Sequence, residues 1–328
     1  MIGMMQRMAR AALAALAICA LGTGQAPANE YPQRPVTIIV PAGAGSGPDV
    51  ITRLVAERLS RGWGHQAVVS NRPGGGGMIA TQAMAGVERD GHTLFMPLSS
   101  TLTVMPELQP RLPLDFDRDL VPIGLVATQP MMIAVHSSLG ISSLSELVAR
   151  GKSRPADLLV GASRGTIPHM TWEMFRTRAG MDATLVPYPS VARAIQGAMA
   201  GTINLITESP AGLAPALQSG ALKPLAIASA TRLPNYPDVP TVGEALPDLA
   251  PFEAEGWFLL MAPAGTPEAV VTKLSADLRT VLGDPELRQR FEGLASYVRP
   301  LSPTETAAFI RAERDLWRPI VRQVGAAQ

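Results

Sequence analysis

Residues 36–49 read VTIIVPAGAGSGPD, a β-branched apolar run followed by a turn that holds three glycines. Beyond the turn, to about Leu59, apolar residues recur at three- and four-residue spacing, which is typical of an amphipathic helix. Glycine lets the backbone of such a turn approach a ligand closely, and Pro48 suits the first position of the helix. The segment therefore predicts a strand, a turn and a helix that form one β-α unit.

A similar unit, a strand with a Gly/Ser/Pro-rich turn that usually leads into a helix, recurs along the chain. It returns twice in the first half and then in a second series, at residues 67–85, 92–101, 158–178, 184–199 and 203–217. Strands that alternate with helices predict right-handed crossovers and parallel sheets with helices on both faces. We therefore expect an α/β protein with two lobes, in which the mainly helical stretch from Gly265 onward returns to cover the first lobe.

The composition excludes several classes of protein. The 328 residues are 47% hydrophobic and 17% charged, which is too apolar for a disordered chain and long enough for about two domains. The chain carries 28 basic and 27 acidic residues, a net charge of +1, so no overall field attracts nucleic acid or an anionic membrane surface. We therefore expect a globular protein with no nucleic-acid partner.

The N-terminus is typical of a secretory signal peptide. Arg7 and Arg10 precede an unbroken apolar run at residues 11–21, and Ala26-Pro27-Ala28 provides a cleavage site. The run is too short to cross a bilayer core of about 30 Å as a helix. Residues 1–28 are therefore predicted to be a signal peptide that export removes.

Cys19 is the only cysteine of the chain and lies within the predicted signal peptide. The mature protein would then contain no thiol, which excludes disulfide scaffolds, thiol nucleophiles and cysteine-based metal sites. Residues 16–19, LAIC, faintly resemble a lipoprotein box, so lipidation of Cys19 stays open.

One motif suggests an enzyme. Residues 161–165, GASRG, match the nucleophile elbow G-x-S-x-G, with Ser163 in the place of the nucleophile. Such hydrolases need an acid and then a histidine after the serine, yet the only later histidine is His169, inside the next helix. The four histidines are isolated from one another and from carboxylate clusters. We therefore expect Ser163 to donate hydrogen bonds, and we expect no catalytic residue, metal or cofactor.

The turns that follow parallel strands predict a binding site. They meet at one edge of a sheet, where each following helix presents unpaired N–H groups and the positive end of its dipole. Two lobes that face each other edge to edge would form an anion-binding cleft. Arg193 and Glu208 both follow strands of the second lobe. An arginine at a helix N-terminus opposes the dipole, so its partner is a ligand, Glu208 or solvent.

Six stretches occur in an order that is specific to one family. They read YPQRPVTIIVPAGAGSGPD, NRPGGGG, DGHTL, LVPY, ALKPLAIASATRLPNYPDVPTVGEA and WFLLMAPAGTP. In these the chain resembles the TctC-type, or Bug-type, extracytoplasmic solute receptors of tripartite tricarboxylate transporters. The resemblance implies a two-lobed periplasmic binding protein of the type II-like class, with mostly parallel sheets. It also implies a hinge of two crossing strands near Met131–Val135 and Trp257–Met261. Lobe 1 would comprise residues 29–130 and 257–328, and lobe 2 residues 131–256.

The resemblance also implies a ligand site, because such receptors hold a carboxylate with backbone amides, hydroxyls and ordered water. Carried over by position, it points to Gly43, Ala44, Gly45, Ser46, Gly47, Asp49, Ser99, Thr101, Ser163, Gly165, Thr166, His169, Tyr188, Ser190 and Ser209. We add Arg193 and Glu208 from the position of their turns. The chain departs from the family where Ala42 replaces an aromatic residue, Pro48 a hydroxyl, Met105 an asparagine and Glu208 an aspartate.

The expected function is that of a monomeric periplasmic receptor that captures a small organic acid and presents it to the membrane subunits of a tripartite transporter. Two alternatives remain open. The first is a lyase or transferase of organic acids on the same scaffold, for which Glu208 and His169 form the candidate acid/base pair. The second is a receptor that acts as a sensor or scavenger. The sequence does not identify the ligand.

Overall fold

The computed structural model describes residues 31–109 and 111–326. The predicted signal peptide, with Cys19, lies outside the described residues. Within them, eleven strands are β1 Val36–Val40, β2 Ala67–Asn71, β3 Thr93–Phe95, β4 Leu120–Pro130, β5 Met132–His136, β6 Leu159–Ala162, β7 Thr184–Pro187, β8 Leu205–Glu208, β9 Leu222–Ile227, β10 Glu255–Pro263 and β11 Tyr297–Leu301.

Helices follow most of these strands. They are α1 Gly47–Trp63, α2 Met78–Met84, α3 Ser99–Thr103, α4 Met105–Leu108, α5 Phe116–Asp119, α6 Leu144–Ser153, α7 Ile167–Ala179, α8 Val191–Met199, α9 Pro210–Gln218, α10 Val242–Ala245, α11 Glu268–Leu282, α12 Pro285–Gly293 and α13 Pro303–Ala326. Short 3₁₀ helices occupy Gly75–Gly77, Ser137–Leu139, Pro155–Asp157 and Pro247–Leu249.

The strands form two sheets, which confirms the prediction of an α/β protein. The first has the order β11-β4-β10-β3-β1-β2 and the second the order β7-β6-β8-β5-β9. Strands β1, β2 and β3 pair in parallel, as do β6, β7 and β8. The pairings of β4, β10 and β11, and those of β5, are antiparallel. Each sheet is mixed, yet most of its strands share one direction: β10 and β11 run against the other four strands of the first sheet, and β5 runs against the other four of the second.

The chain passes between the sheets at Met131 and at Ala254. Strand β4 ends at Pro130 in the first sheet, and β5 begins at Met132 in the second. The Met131 N–H donates to the Ala254 carbonyl at 3.0 Å, and the Ala254 N–H donates to the Ala228 carbonyl at 3.0 Å. The crossing thus lies at the first residue of the stretch Met131–Val135 and shortly before the stretch Trp257–Met261, the two stretches that the resemblance indicated.

Helix α13 packs on both groups of elements. Ile310 joins a buried cluster with Phe95 and Trp257 of the first sheet. Trp317, Val321 and Val324 join the cluster that contains Trp172 and Phe175 of α7. The C-terminal helix was expected to cover the first lobe, and it contacts the second as well. Across the described ranges, no helix combines the length and the apolar character needed to cross a membrane.

Candidate functional site

A cleft of about 540 Å³ is lined by turns from both sheets and by the strands that link them. From the first sheet come the turn after β1 and the start of α3. From the second come the turns before α7, α8 and α9. Its lining is Gly45, Ser46, Gly47, Pro48, Val50, Leu98, Ser99, Ser100, Gln129, Met131, Thr166, Ile167, Pro168, Val191, Ala192, Ile195, Glu208, Ser209, Ala211, Gly212, Gly256, Trp257, Phe258 and Leu294.

The turn after β1 lines this cleft through Gly45, Ser46 and Gly47. Gly45 has a φ of 77°, in the left-handed region that favours glycine. Ser46 has no side-chain role in capping α1, since its hydroxyl donates back to the Gly43 carbonyl at 2.7 Å. Asp49 accepts the Gly45 N–H and the Gly43 carbonyl accepts that of Ser46, whereas the Gly47 N–H at the start of α1 has no acceptor among the described contacts and is available to an anion.

Asp49 holds the turn after β1 in place through hydrogen bonds. Its carboxylate accepts the Gly45 N–H at 2.8 Å, the Asn71 side-chain amide at 2.8 Å and the Arg53 guanidinium at 2.9 Å. Burial alone would raise the pKa of Asp49, but the hydrogen bonds from Arg53, Gly45 and Asn71 outweigh it and hold the pKa below its ordinary value. Asp49 is thus an ionised support of the turn, and it lies outside the cleft lining.

The hydroxyls of the second lobe cap helices. Thr166, Ser190 and Ser209 are the N-caps of α7, α8 and α9, and each accepts an N–H from its own first turn. The Thr166 hydroxyl donates to the Ser163 carbonyl at 2.7 Å, and the Ser209 hydroxyl donates to Glu208 Oε1 at 2.9 Å. The protons of these two hydroxyls are therefore used within the turns. Fewer hydroxyl donors are available to a ligand than the sequence suggests.

Seven of the predicted site residues line the cleft: Gly45, Ser46, Gly47, Ser99, Thr166, Glu208 and Ser209. The others lie outside its lining: Gly43, Ala44, Asp49, Thr101, Ser163, Gly165, His169, Tyr188, Ser190 and Arg193. Thr101 is buried next to the 3₁₀ helix Gly75–Gly77. A Cβ on Gly77 would lie 2.6 Å from the Thr101 hydroxyl oxygen. The Tyr188 hydroxyl contacts that of Thr202 at 3.2 Å.

His169 faces a different cavity. It lines a space of about 270 Å³ together with Arg164, Glu173 and Arg176 on the far side of α7. Its Nε2 is buried without a hydrogen bond and lies 3.6 Å from Glu173 Oε1. Burial and the nearby Arg164 and Arg176 lower the pKa of His169 to about 4, so the ring is neutral at physiological pH. His169 and Glu208 therefore do not share one cavity as an acid/base pair.

Arg193 pairs neither with Glu208 nor with any other carboxylate that the structure describes. It is exposed on α8, and its Nη1 donates to Gln196 Oε1 at 3.0 Å. Neighbouring Val191, Ala192 and Ile195 line the cleft, whereas Arg193 does not. This arrangement favours the solvent-facing interpretation of the residue.

Arg193→Ala is therefore expected to leave ligand-free melting unchanged and to change ligand affinity by no more than about twofold, the scale of an exposed substitution. Thermal melting and isothermal calorimetry of the variant check this. A loss of tenfold or more in affinity would show instead that Arg193 reaches the ligand when the lobes close.

Sequence reasoning missed the floor of the cleft. Gln129, Met131, Gly256, Trp257 and Phe258 line it from the linking strands β4 and β10. Their sequence is apolar and resembles that of any buried strand. The chain topology could have indicated these residues, because strands that cross between two lobes must line the base of the cleft between the lobes.

Comparison with known proteins gives consistent results. The family model described as "Tripartite tricarboxylate transporter family receptor" matches residues 51–326. A UPF0065 protein of Bordetella bronchiseptica is 35% identical over 98% of this chain and 94% of its own length. Protein BugT of Bordetella pertussis is 32% identical over 91% of this chain and 92% of its own length. The solved structure of R. palustris Rpa4515 with adipate has a TM-score of 0.82 and 29% identity, and covers 90% of this chain and 98% of that one.

Proposed function

Because the chain belongs to the tripartite tricarboxylate transporter receptor family, we propose that it captures a small organic acid in the cleft for delivery to the membrane subunits of such a transporter. Its place of action would be the periplasm. The family consists of receptors, so the chain is a solute-binding protein rather than an enzyme.

The observation that carries this proposal is the composition of the cleft. Two sets of turns face it, one from each sheet, and at the start of α1 the Gly47 N–H has no acceptor among the described contacts. A carboxylate bound there would accept N–H bonds at the positive end of the 17-residue helix α1. Ser99, which lines the cleft and has no side-chain hydrogen bond among the described contacts, supplies a hydroxyl donor.

Binding would close the lobes, because each supplies only part of the contacts. The backbone links between the sheets are few, and Met131 and Ala254 lie at the crossing. The hinge proposed here is therefore the pair of segments around these two residues. The lobe bounds remain those predicted from the sequence, with changes of lobe near residues 131 and 257.

A ligand screen by thermal shift tests the function. A cognate acid at about 100 times its dissociation constant should stabilise the protein by roughly 2.7 kcal/mol, because it binds only the folded state. We expect a rise in melting temperature with at least one mono-, di- or tricarboxylate. Sugars and neutral amides at the same concentration serve as negative ligands.

Gly256→Val provides a matched control for this screen. A Cβ at Gly256 would meet its nearest neighbour, Met131 Cε, at an ordinary 3.5 Å, so the backbone accepts a side chain that projects toward the cleft. The variant should melt like the wild type without ligand and lose the shift with ligand. If no organic acid moves the wild-type midpoint, or if Gly256→Val keeps the full shift, the cleft is not the site of acid capture.

A further inference from the structure

Glu208 occupies an unusual place for a carboxyl group. It ends strand β8, is 8% exposed and lines the cleft. Its Oε1 accepts the Ser209 N–H at 2.8 Å and the Ser209 hydroxyl at 2.9 Å. Its Oε2 is buried and has no hydrogen-bond partner. One oxygen of the carboxyl is thus fully used by the following turn, and the other is unsatisfied.

No positive charge compensates this group. Among the residues that line the cleft, Glu208 has the only ionisable side chain. The elements packed around it present apolar or neutral groups: Met132 of β5 pairs with it, Pro168 of α7 accepts a hydrogen bond from Thr207, and Gly212 of α9 lies against its Cγ. The titratable side chains on adjacent elements face elsewhere, since Tyr236 donates to the Pro210 carbonyl, Arg193 donates to Gln196 and His169 lines the second cavity.

Burial without a cation favours the neutral acid. Taking an isolated carboxylate out of water costs several kcal/mol, and the group usually takes up a proton instead. Burial raises the pKa of Glu208, and the two hydrogen bonds from Ser209 do not offset it. A neutral carboxyl whose Oε1 accepts two hydrogen bonds carries its proton on Oε2, the atom that lacks a partner.

We propose that Glu208 is a protonated hydrogen-bond donor that binds the far end of the ligand through Oε2, and that the matching ligand group is an acceptor such as a second carboxylate. This inference rests on the proposed capture of an organic acid by the same cleft. The first carboxylate would lie at the start of α1, where the Gly47 N–H has no acceptor among the described contacts. The lining of the cleft also includes Met131, Ile167 and Ile195, which suits an apolar spacer. The favoured ligand class is therefore a dicarboxylate with an aliphatic chain.

This arrangement links binding to pH. Bound carboxylate needs the proton on Glu208, so affinity should be constant below the pKa of Glu208 in the free protein and should fall about tenfold per pH unit above it. The carboxyl groups of the ligand ionise near pH 4–5 and contribute nothing to the slope at higher pH. Above that pKa, each binding event should also take up one proton.

The experiment compares two ligands of equal length, adipate and 6-aminohexanoate, by isothermal calorimetry between pH 5.5 and 9. Repeating each titration in buffers of different ionisation enthalpy counts the protons taken up. We expect adipate to bind more tightly at the lower pH, with proton uptake, and 6-aminohexanoate to bind at least tenfold more weakly there. These measurements need only the wild-type protein.

Two variants test whether Glu208 is the group that carries the proton needed for binding. Glu208→Gln keeps an N–H donor but does not titrate, so adipate affinity should stay within a few-fold of the low-pH wild-type value and lose its pH slope. Ser99→Ala is the matched control, because it alters a cleft donor without removing a titrating group, and it should keep the slope. Without ligand, Glu208→Gln should melt increasingly above the wild type as pH rises from about 4.3, the ordinary glutamate pKa, to the raised folded-state pKa of Glu208, because in that window only the unfolded wild type ionises; above it the difference should be constant.

The outcomes separate this inference from the function on which it rests. Adipate binding with a flat pH profile and no proton uptake would overturn the protonated donor and leave acid capture intact. Affinity that rises with pH, prefers 6-aminohexanoate and is lost in Glu208→Gln would show an ionised Glu208 that pairs with an ammonium group. Failure of every organic acid to bind at any pH would overturn both.

Discussion

Trp257→Ala is expected to lower the free energy of unfolding by about 3–5 kcal/mol, the usual cost of truncating a buried tryptophan. Trp257 lies on β10, is 1% exposed and packs edge-on against Phe309 with ring centroids 5.5 Å apart. Its Nε1–H donates to Glu313 Oε2 at 2.8 Å. Removal of the ring leaves a cavity between the first sheet and α13, and it also opens the floor of the cleft. Chemical denaturation of the ligand-free protein measures the loss.

Trp257→Phe separates the two contributions to this effect. Phenylalanine keeps most of the ring volume but removes the N–H, which leaves Glu313 with the Trp317 N–H at 3.2 Å as its other tryptophan donor. We expect a loss of about 1–3 kcal/mol, the cost of leaving a buried polar group short of a partner. Equal losses in the two variants would assign the role of Trp257 to the hydrogen bond rather than to packing.

Local signals predicted the β-α units because strand and helix patterns depend on neighbouring residues. The expected strand at residues 36–40 is β1 itself, and the helix expected from Pro48 to Leu59 is contained in α1, Gly47–Trp63. The direction of each strand in its sheet was harder to predict from the sequence. The apolar runs of β4, β5 and β10 do not indicate whether a strand pairs in parallel or antiparallel, so the mixed character of both sheets depended on which strands meet in space.

The cleft was harder to predict than the fold because it depends on side-chain direction and on partners. Thr166 and Pro168 line the cleft, while His169 faces the opposite side of α7, as a rotation of about 100° per residue requires. A serine or threonine at a helix start is visible in the sequence as a cap. The sequence does not show which group accepts the proton of that hydroxyl. This acceptor decides whether Thr166 or Ser209 can still donate a hydrogen bond to a ligand.

Glu208 shows the same limit for charge. From the sequence, Arg193 and Glu208 both follow strands of the second lobe, and an ion pair between them was one of the open alternatives. In the structure Arg193 donates a hydrogen bond to Gln196, and Glu208 accepts one from the Ser209 hydroxyl. A carboxyl without a cation has different chemistry from one with a cation, and only the packing around it distinguishes the two cases.

Asp49 determines whether the first turn is ready for a ligand. It is 2% exposed, and its three donors come from the turn, from α1 and from β2, through Gly45, Arg53 and Asn71. Each hydrogen bond to a charged group contributes about 1.5–3 kcal/mol, although the contributions are not additive. The carboxylate therefore holds the turn in the shape that leaves the Gly47 N–H at the start of α1 without an acceptor.

Asp49→Ala is accordingly expected to lower the free energy of unfolding by about 2–4 kcal/mol and to weaken acid binding by roughly tenfold or more, because the loosened turn must then be ordered on binding. The pKa of Asp49 is held below its ordinary value, so its contribution is complete above about pH 4 and is lost as pH falls through the folded-state pKa. The difference between the variant and the wild type should therefore shrink in acid. Arg53→Gln is the matched control: its side chain is 51% exposed, so losing the ion pair should cost less than about 1 kcal/mol. If Asp49→Ala keeps full affinity while it loses stability, the turn is ordered by the strand and helix alone, and Asp49 supports the fold without preparing the site.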